Sequence, residues 1–190
     1  MKKIILTENQ YRLLLKENEK SLEKFYQENN IDEDDLSYLG KGDFGKAYSI
    51  GNRRVLKITS SKNEFEIAKE LKNNNSPVFD SFAKIYKTEI IGRDMYIILE
   101  ELDTDSSIQD LYYELQNLLD EQGLPIQYLS YLDTDELNIS KKLQSFMDDM
   151  EDIIRAYRTL GIEASDIRPE NLGYSENLKL KAFDIDNKQR

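Results

Sequence analysis

Gly40, Gly42 and Gly45, in the stretch LGKGDFGKAY, stand at the spacing G-x-G-x-x-G. Glycines so spaced let backbone come very close to a ligand, and phosphate is the commonest ligand of such a loop. The surrounding segment is locally basic. Lys41, Lys46, Arg53, Arg54 and Lys57 oppose the single acid Asp43 between residues 41 and 57, in a chain whose net charge is −11. Histidine and cysteine are both absent. That excludes Ser-His-Asp hydrolases, histidine- or thiolate-ligated zinc sites, zinc deaminases and thiol nucleophiles. Chemistry falls to carboxylates, lysine, arginine, hydroxyls and backbone amides.

Whether the glycines hold a ligand depends on the elements that carry them. Thr7 as N-cap and Gln10 three residues later fit a helix start, and Tyr11, Leu14, Leu15, Leu22, Phe25 and Tyr26 recur near helical spacing to about Gln27. Short β-prone runs follow at 36–39, 44–50 and 53–59, with Gly51-Asn52 fitting a two-residue hairpin turn between the last two. NEFEIAKEL reads as a short helix, and FAKIYKTEII and DMYIILEEL, parted by Gly92 and Arg93, as a second hairpin. The second half is mostly helical by periodicity, at about 107–122 and 141–160, and closes on irregular sequence and a short strand near 178–183. The segment 100–122 holds eight acids and no Lys or Arg, which predicts a solvated face. LDTD occurs at Leu102 and Leu132, each before a helical pattern, and both copies are expected to cap helices. The 190 residues suffice for one domain or two small lobes. Apolar runs are too short for a signal peptide or membrane span, and the acidic balance argues against nucleic acid as a partner.

The third glycine opens a strand, not a helix, which sets the loop apart from a dinucleotide fold, and no Gly-Lys-Ser/Thr follows as a Walker loop requires. A glycine hairpin followed by a strand with a central lysine resembles the nucleotide-covering device of protein kinases. GKGDFGKAY resembles the kinase glycine loop, with Phe44 at its tip, and RVLKI resembles the strand whose lysine, here Lys57, meets the phosphates. The kinase pattern draws an orienting carboxylate from the next helix. Glu64, Glu66 and Glu70 compete for that role, and Glu64, on the stripe with Ile67, Ala68 and Leu71, is the choice. ASDIRPENLGY is similar to the catalytic loop, which implies Asp166 as base and Asn171 as a metal ligand, with Arg168 replacing the usual lysine to contact the transferring phosphate. LKAFDID is similar to the metal-binding segment, which implies Asp184 as a magnesium ligand. The stretch 99–102 resembles the interlobe hinge, which implies that Glu100 and Leu102 present backbone to adenine.

The resemblance implies an α+β, two-lobed kinase-like fold: an N-terminal helix over residues 1–30, an N-lobe over 31–102 with a five-stranded antiparallel sheet and one helix, and a reduced, mostly helical C-lobe over 103–190. It implies ATP and Mg²⁺ as cofactors and transfer of a γ-phosphoryl to a hydroxyl. The departures matter. Ala164-Ser165 replaces the usual His-Arg, and Asp186 stands where the family has glycine and would supply a second carboxylate, as in small-molecule kinases with D-x-D. Only four residues follow Asp186, so the activation segment and later helices have no counterpart in this sequence. The alternative is therefore a pseudokinase that engages a protein partner at the reduced C-lobe. Compact proteins of this kind resemble open reading frames of large phages, which implies a cytoplasmic protein in the host.

Overall fold

In the computed structural model the described residues are 8–134, 137, 139–164 and 167–184. Helix α1 (Glu8–Glu28) ends where Asn29 and Asn30 follow. The Asn29 side-chain amide donates to the Phe25 carbonyl at 2.7 Å, and Asn30 takes the left-handed conformation at φ 52°. Both are ordinary ways to stop a helix. Five antiparallel strands follow: β1 (Ser37–Lys41), β2 (Gly45–Ser49), β3 (Arg54–Thr59), β4 (Ile85–Ile91) and β5 (Asp94–Glu100), in the order β1-β2-β3-β5-β4. Helix α2 (Lys62–Asn73) lies between β3 and β4 in sequence.

Side chains alternate across a strand, and β3 and β5 use the alternation fully. Leu56, Ile58, Tyr96 and Ile98 share one cluster with Phe25, Tyr26 and Leu22 of α1. Val55, Ile97 and Leu99 share another with Phe65 and Ala68 of α2. The sheet is therefore sandwiched between two helices. The β2–β3 turn has three residues, not the expected two. Gly51, Asn52 and Arg53 are all left-handed, at φ 71°, 53° and 55°, and the Ile50 N–H donates to the Arg54 carbonyl at 3.0 Å across them. Arg53 tolerates that strain because its guanidinium donates two bonds to Asp103, at 2.9 and 3.1 Å.

In the second half, α3 (Ser106–Glu121) and α4 (Lys141–Thr159) face each other through stripes at helical spacing, Ile108, Leu111, Leu115 and Leu119 against Leu143, Phe146, Met150 and Ile153. Asp105 caps α3 by accepting from the Ser107 N–H at 2.6 Å, so the first LDTD behaves as expected. The second does not. The cap of α4 is Ser140, which accepts from the Leu143 N–H at 3.1 Å, while Asp133 exchanges hydrogen bonds with the Gln122 side chain. A hairpin of β6 (Leu172–Tyr174) and β7 (Leu180–Ala182) closes the described chain. The stretch holding β6 reads as irregular in sequence; it becomes a strand because β7 pairs with it and buries Leu172. The acidic segment also departs from expectation at its start. Glu100 and Glu101 are partly buried and bonded to Lys181 and Ser49, whereas Asp103, although bonded to Arg53, is exposed, as are Asp105 and the helical acids Asp110, Glu114, Asp120 and Glu121. Among the described residues no helix is long and apolar enough to cross a membrane.

Candidate functional site

Lys57, central in β3, projects to the α2 face of the sheet, as do its strand neighbours Val55 and Thr59. Its ammonium pairs with Glu64 and donates to Asp184 Oδ1 at 2.8 Å. Residues from β3, the first turn of α2 and the segment after β7 thus meet at one cation. The side chains of Lys57 and Glu64 are 18% and 8% exposed and that of Asp184 is 39% exposed. The pair is buried and its third member reaches solvent. Burial works to lower the Lys57 pKa, but the Glu64 and Asp184 carboxylates outweigh it, and the ammonium titrates above the ordinary lysine value. Burial pushes the Glu64 carboxyl up, against the pull of Lys57 and of a hydrogen bond from the Thr59 hydroxyl.

Helix α2 accounts for the choice among the three glutamates. Ser61 caps the helix by accepting from the Glu64 N–H at 3.2 Å, which sets Glu64 in the first turn on the stripe of Ala68, facing the sheet. Glu66 lies on the exposed side and accepts from Lys69 at 3.0 Å. With Glu70 it lines a groove against Leu160, Gly161 and Ile162, on the far side of α2 from Lys57.

Asn171 is tied to this constellation through backbone: the Phe183 N–H donates to the Asn171 carbonyl at 3.1 Å, one residue from Asp184. The loop before it is held by Tyr112 of α3, whose hydroxyl donates to the Ile167 carbonyl at 2.8 Å. The Arg168 side chain is 66% exposed, with Glu170 at 4.0 Å. Asp166 and Asp186 lie outside the described residues. Among the described residues no group of three or more carboxylates comes together that would hold a metal alone. The carboxylates gathered at Lys57 are Glu64 and Asp184, and Asn171 is linked to them through its backbone carbonyl.

Gly40 lies near the end of β1, Gly42 in the β1–β2 turn and Gly45 at the start of β2, and the Gly42 N–H donates to the Gly45 carbonyl at 3.0 Å. They differ in what requires them. A Cβ at Gly45 would run into the Ile58 carbonyl oxygen, so the close approach of β2 to β3 accounts for that glycine. A Cβ at Gly40 or Gly42 would meet no atom within 4 Å, and neither residue is left-handed. Among the described residues nothing requires glycine at those two positions. Phe44 at the tip is 42% exposed, and its carbonyl accepts from both the N–H (2.7 Å) and the hydroxyl (2.9 Å) of Ser60. Of the basic residues around the loop, Lys41 and Lys46 are exposed. Arg53 and Arg54 are not turned to the loop: they bond Asp103 and the Asn29 carbonyl.

The segment 100–103 is fixed on both sides. The Glu101 N–H donates to the Arg53 carbonyl at 2.9 Å, and Asp103 and Tyr174 exchange bonds at 2.8 and 2.9 Å. The Glu100 backbone, expected to face adenine, has its N–H committed to the Lys84 carbonyl at 2.8 Å, and the Glu100 carboxylate pairs with Lys181 at 2.7 Å in a pair that is largely buried. Between these anchors Leu102 packs against Gly173, while among the described residues its own N–H and C=O make no hydrogen bond. Sequence reasoning missed Thr59, Arg53, Tyr112 and Lys181. The first alone carried a readable signal, a hydroxyl two residues beyond a strand lysine and just before a Ser-x-x-Glu cap. No family model matches this chain, and no curated protein matches it in sequence.

Proposed function

We propose that this chain is a kinase-like phosphotransferase that binds ATP with magnesium and moves the γ-phosphoryl to a hydroxyl. On this reading residues 31–102 and 103–190 are its two lobes, with the nucleotide between them. The observation that carries the reading is the convergence of Asp184 on the neighbouring Lys57 and Glu64, from 127 residues beyond Lys57, within hydrogen-bonding reach of its ammonium. Burying a charged pair is costly, and a constellation with one open, solvent-reaching carboxylate suits ligand binding better than it suits a core.

Lys57 would meet phosphate oxygens, held on a strand so that little freedom is lost on binding. Glu64 keeps its ammonium aimed, and the backbone at Gly40 and at Gly42, which carry no side chain, lets phosphate come close. Leu102 offers an unpaired donor and acceptor of the kind an adenine edge satisfies. Magnesium favours one or two carboxylates together with substrate oxygens, and Asp184 with Asn171 fits that donor set. Bound there, the ion would neutralise charge on the phosphates. Asp166, five residues before Asn171, would orient the acceptor hydroxyl, and Arg168 would contact the transferring group. Both roles rest on the order of residues in ASDIRPEN.

The test is thermal unfolding with ATP, with and without magnesium, on wild type and Asp184→Ala. Ligand at about 100 times its dissociation constant stabilises by about 2.7 kcal/mol, a rise of roughly 5–10 °C for a chain of this size. A magnesium-dependent rise in wild type that shrinks in Asp184→Ala is expected. No rise under any condition would remove ATP from the account and leave the pseudokinase reading.

A further inference from the structure

Ser61 and Glu64 stand at the spacing Ser-x-x-Glu, the sequence of a capping box. In that motif the serine oxygen accepts from the N–H three residues on, and the glutamate reaches back to the serine's own N–H. The first half is formed here, since the Glu64 N–H donates to Ser61 Oγ at 3.2 Å. A glutamate engaged in the second half would be drawn toward the helix terminus, away from the strand lysine. In this chain the Ser61 N–H donates to Thr59 Oγ1 at 3.0 Å.

Thr59 is 2% exposed, at the end of β3 on the same side as Lys57, and Glu64 is 6% exposed. A hydroxyl has one proton to give and two lone pairs to receive with. Thr59 accepts from the Ser61 N–H, and its hydroxyl lies close enough to the Glu64 carboxylate to favour the charged form. Its β-branched side chain has little rotameric freedom in a strand, so the hydroxyl is held where both partners need it. Only Ser60 and Ser61 separate the strand from the helix, which is why strand lysine, strand hydroxyl and first-turn glutamate fall within reach of one another.

We propose that Thr59 is a positioning residue that takes the Ser61 amide in place of Glu64 and thereby frees the Glu64 carboxylate to hold Lys57. The consequence for nucleotide binding rests on the function proposed above; the competition for the Ser61 amide does not. Thr59→Val keeps shape and burial while removing the hydroxyl.

Two readouts test it. The first needs no nucleotide: the Ser61 amide signal by NMR in wild type, Thr59→Val, Glu64→Gln and the double variant. In the wild-type background Glu64→Gln should shift that signal little, because its acceptor is a hydroxyl. In Thr59→Val the carboxylate becomes the acceptor, and Glu64→Gln should shift it much further. Equal small shifts in both backgrounds would overturn the proposal. The second readout is calorimetric binding of ATP with magnesium. Thr59→Val should weaken it roughly tenfold, the size of one hydrogen bond to a charged group. Thr59→Ser should restore it, and Thr59→Val should add nothing to Glu64→Gln, since residues acting through one another are not additive. Additive losses would mean that Thr59 only packs, and would also overturn the proposal. Wild type that binds no ATP removes the phosphotransferase reading and leaves the amide readout to decide. Thr59→Ala carries the same cycle if the valine variant does not fold.

Discussion

The two faces of the five-stranded sheet are built from alternate residues of the same strands and serve different ends. Toward α1, Leu56, Ile58, Tyr96 and Ile98 meet Phe25 and Tyr26 in a cluster of apolar and aromatic groups. Toward α2, the same strands present Val55, Ile97 and Leu99, but also Lys57 and Thr59, and the helix answers with Glu64. One residue along β3 separates the most deeply buried leucine of the sheet from a buried ammonium. The comparison teaches that stability and chemistry are divided by strand periodicity rather than by distance along the chain. The α1 face supplies apolar burial so that the α2 face can carry charge.

The largest effect should come from breaking the charged face. Lys57→Met leaves Glu64 buried without its partner and should cost about 3–5 kcal/mol, whereas Lys57→Met with Glu64→Leu, which makes the two faces alike, should be neutral or more stable by about 1–4 kcal/mol. Denaturant titration of both variants checks this, and a double variant as unstable as the single one would contradict the division. On the apolar face, Leu56→Ala should cost about 2–5 kcal/mol through the cavity it leaves. In variants that stay folded, the shift produced by ATP should persist, which thermal unfolding with ligand reads. The smallest effect concerns Tyr96. Burial, with help from Asp94 and Tyr26, pushes its phenol up to about 12, from an ordinary value near 10. Its folded value lies above its unfolded one, so its contribution to stability is complete below about pH 10 and is lost as pH rises from about 10 to 12. Burial also raises Tyr26, Tyr86, Tyr112 and Tyr174, so tyrosine absorbance should show a late-ionising component of which Tyr96→Phe removes one part, together with that part of the pH dependence.

Much of this was legible because periodicity reports burial. The β-prone runs RVLKIT and DMYIILE, bounded by turn residues, marked the strands, and the stripe of Ile67, Ala68 and Leu71 singled out Glu64 from its neighbours. What escaped depends on partners distant in sequence. Nothing local marks Leu172–Tyr174 as a strand until Leu180–Ala182 lies beside it. The turn at Gly51-Asn52 takes in Arg53 because Asp103, some fifty residues away, holds the guanidinium. Glu100 and Glu101 read as part of a solvated run because their side-chain partners, Lys181 and Ser49, lie far from that run in sequence. Repeated LDTD misled for a related reason: a cap is defined by the helix that begins after it, and α4 begins at Lys141, well past Asp133.

The shortness of the β3–α2 link has a mechanical meaning. Ser60 holds the Phe44 carbonyl at the tip of the glycine turn, Ser61 begins the helix, and Thr59, next to Ser60, steadies Glu64. Tip, strand and helix therefore behave as one cantilever rather than three hinged parts. A helix joined by a long loop can swing its glutamate away and back as a switch; this one has no slack with which to do so. A load placed on Phe44 reaches the Lys57–Glu64 pair through three consecutive residues, so the site feels its roof directly.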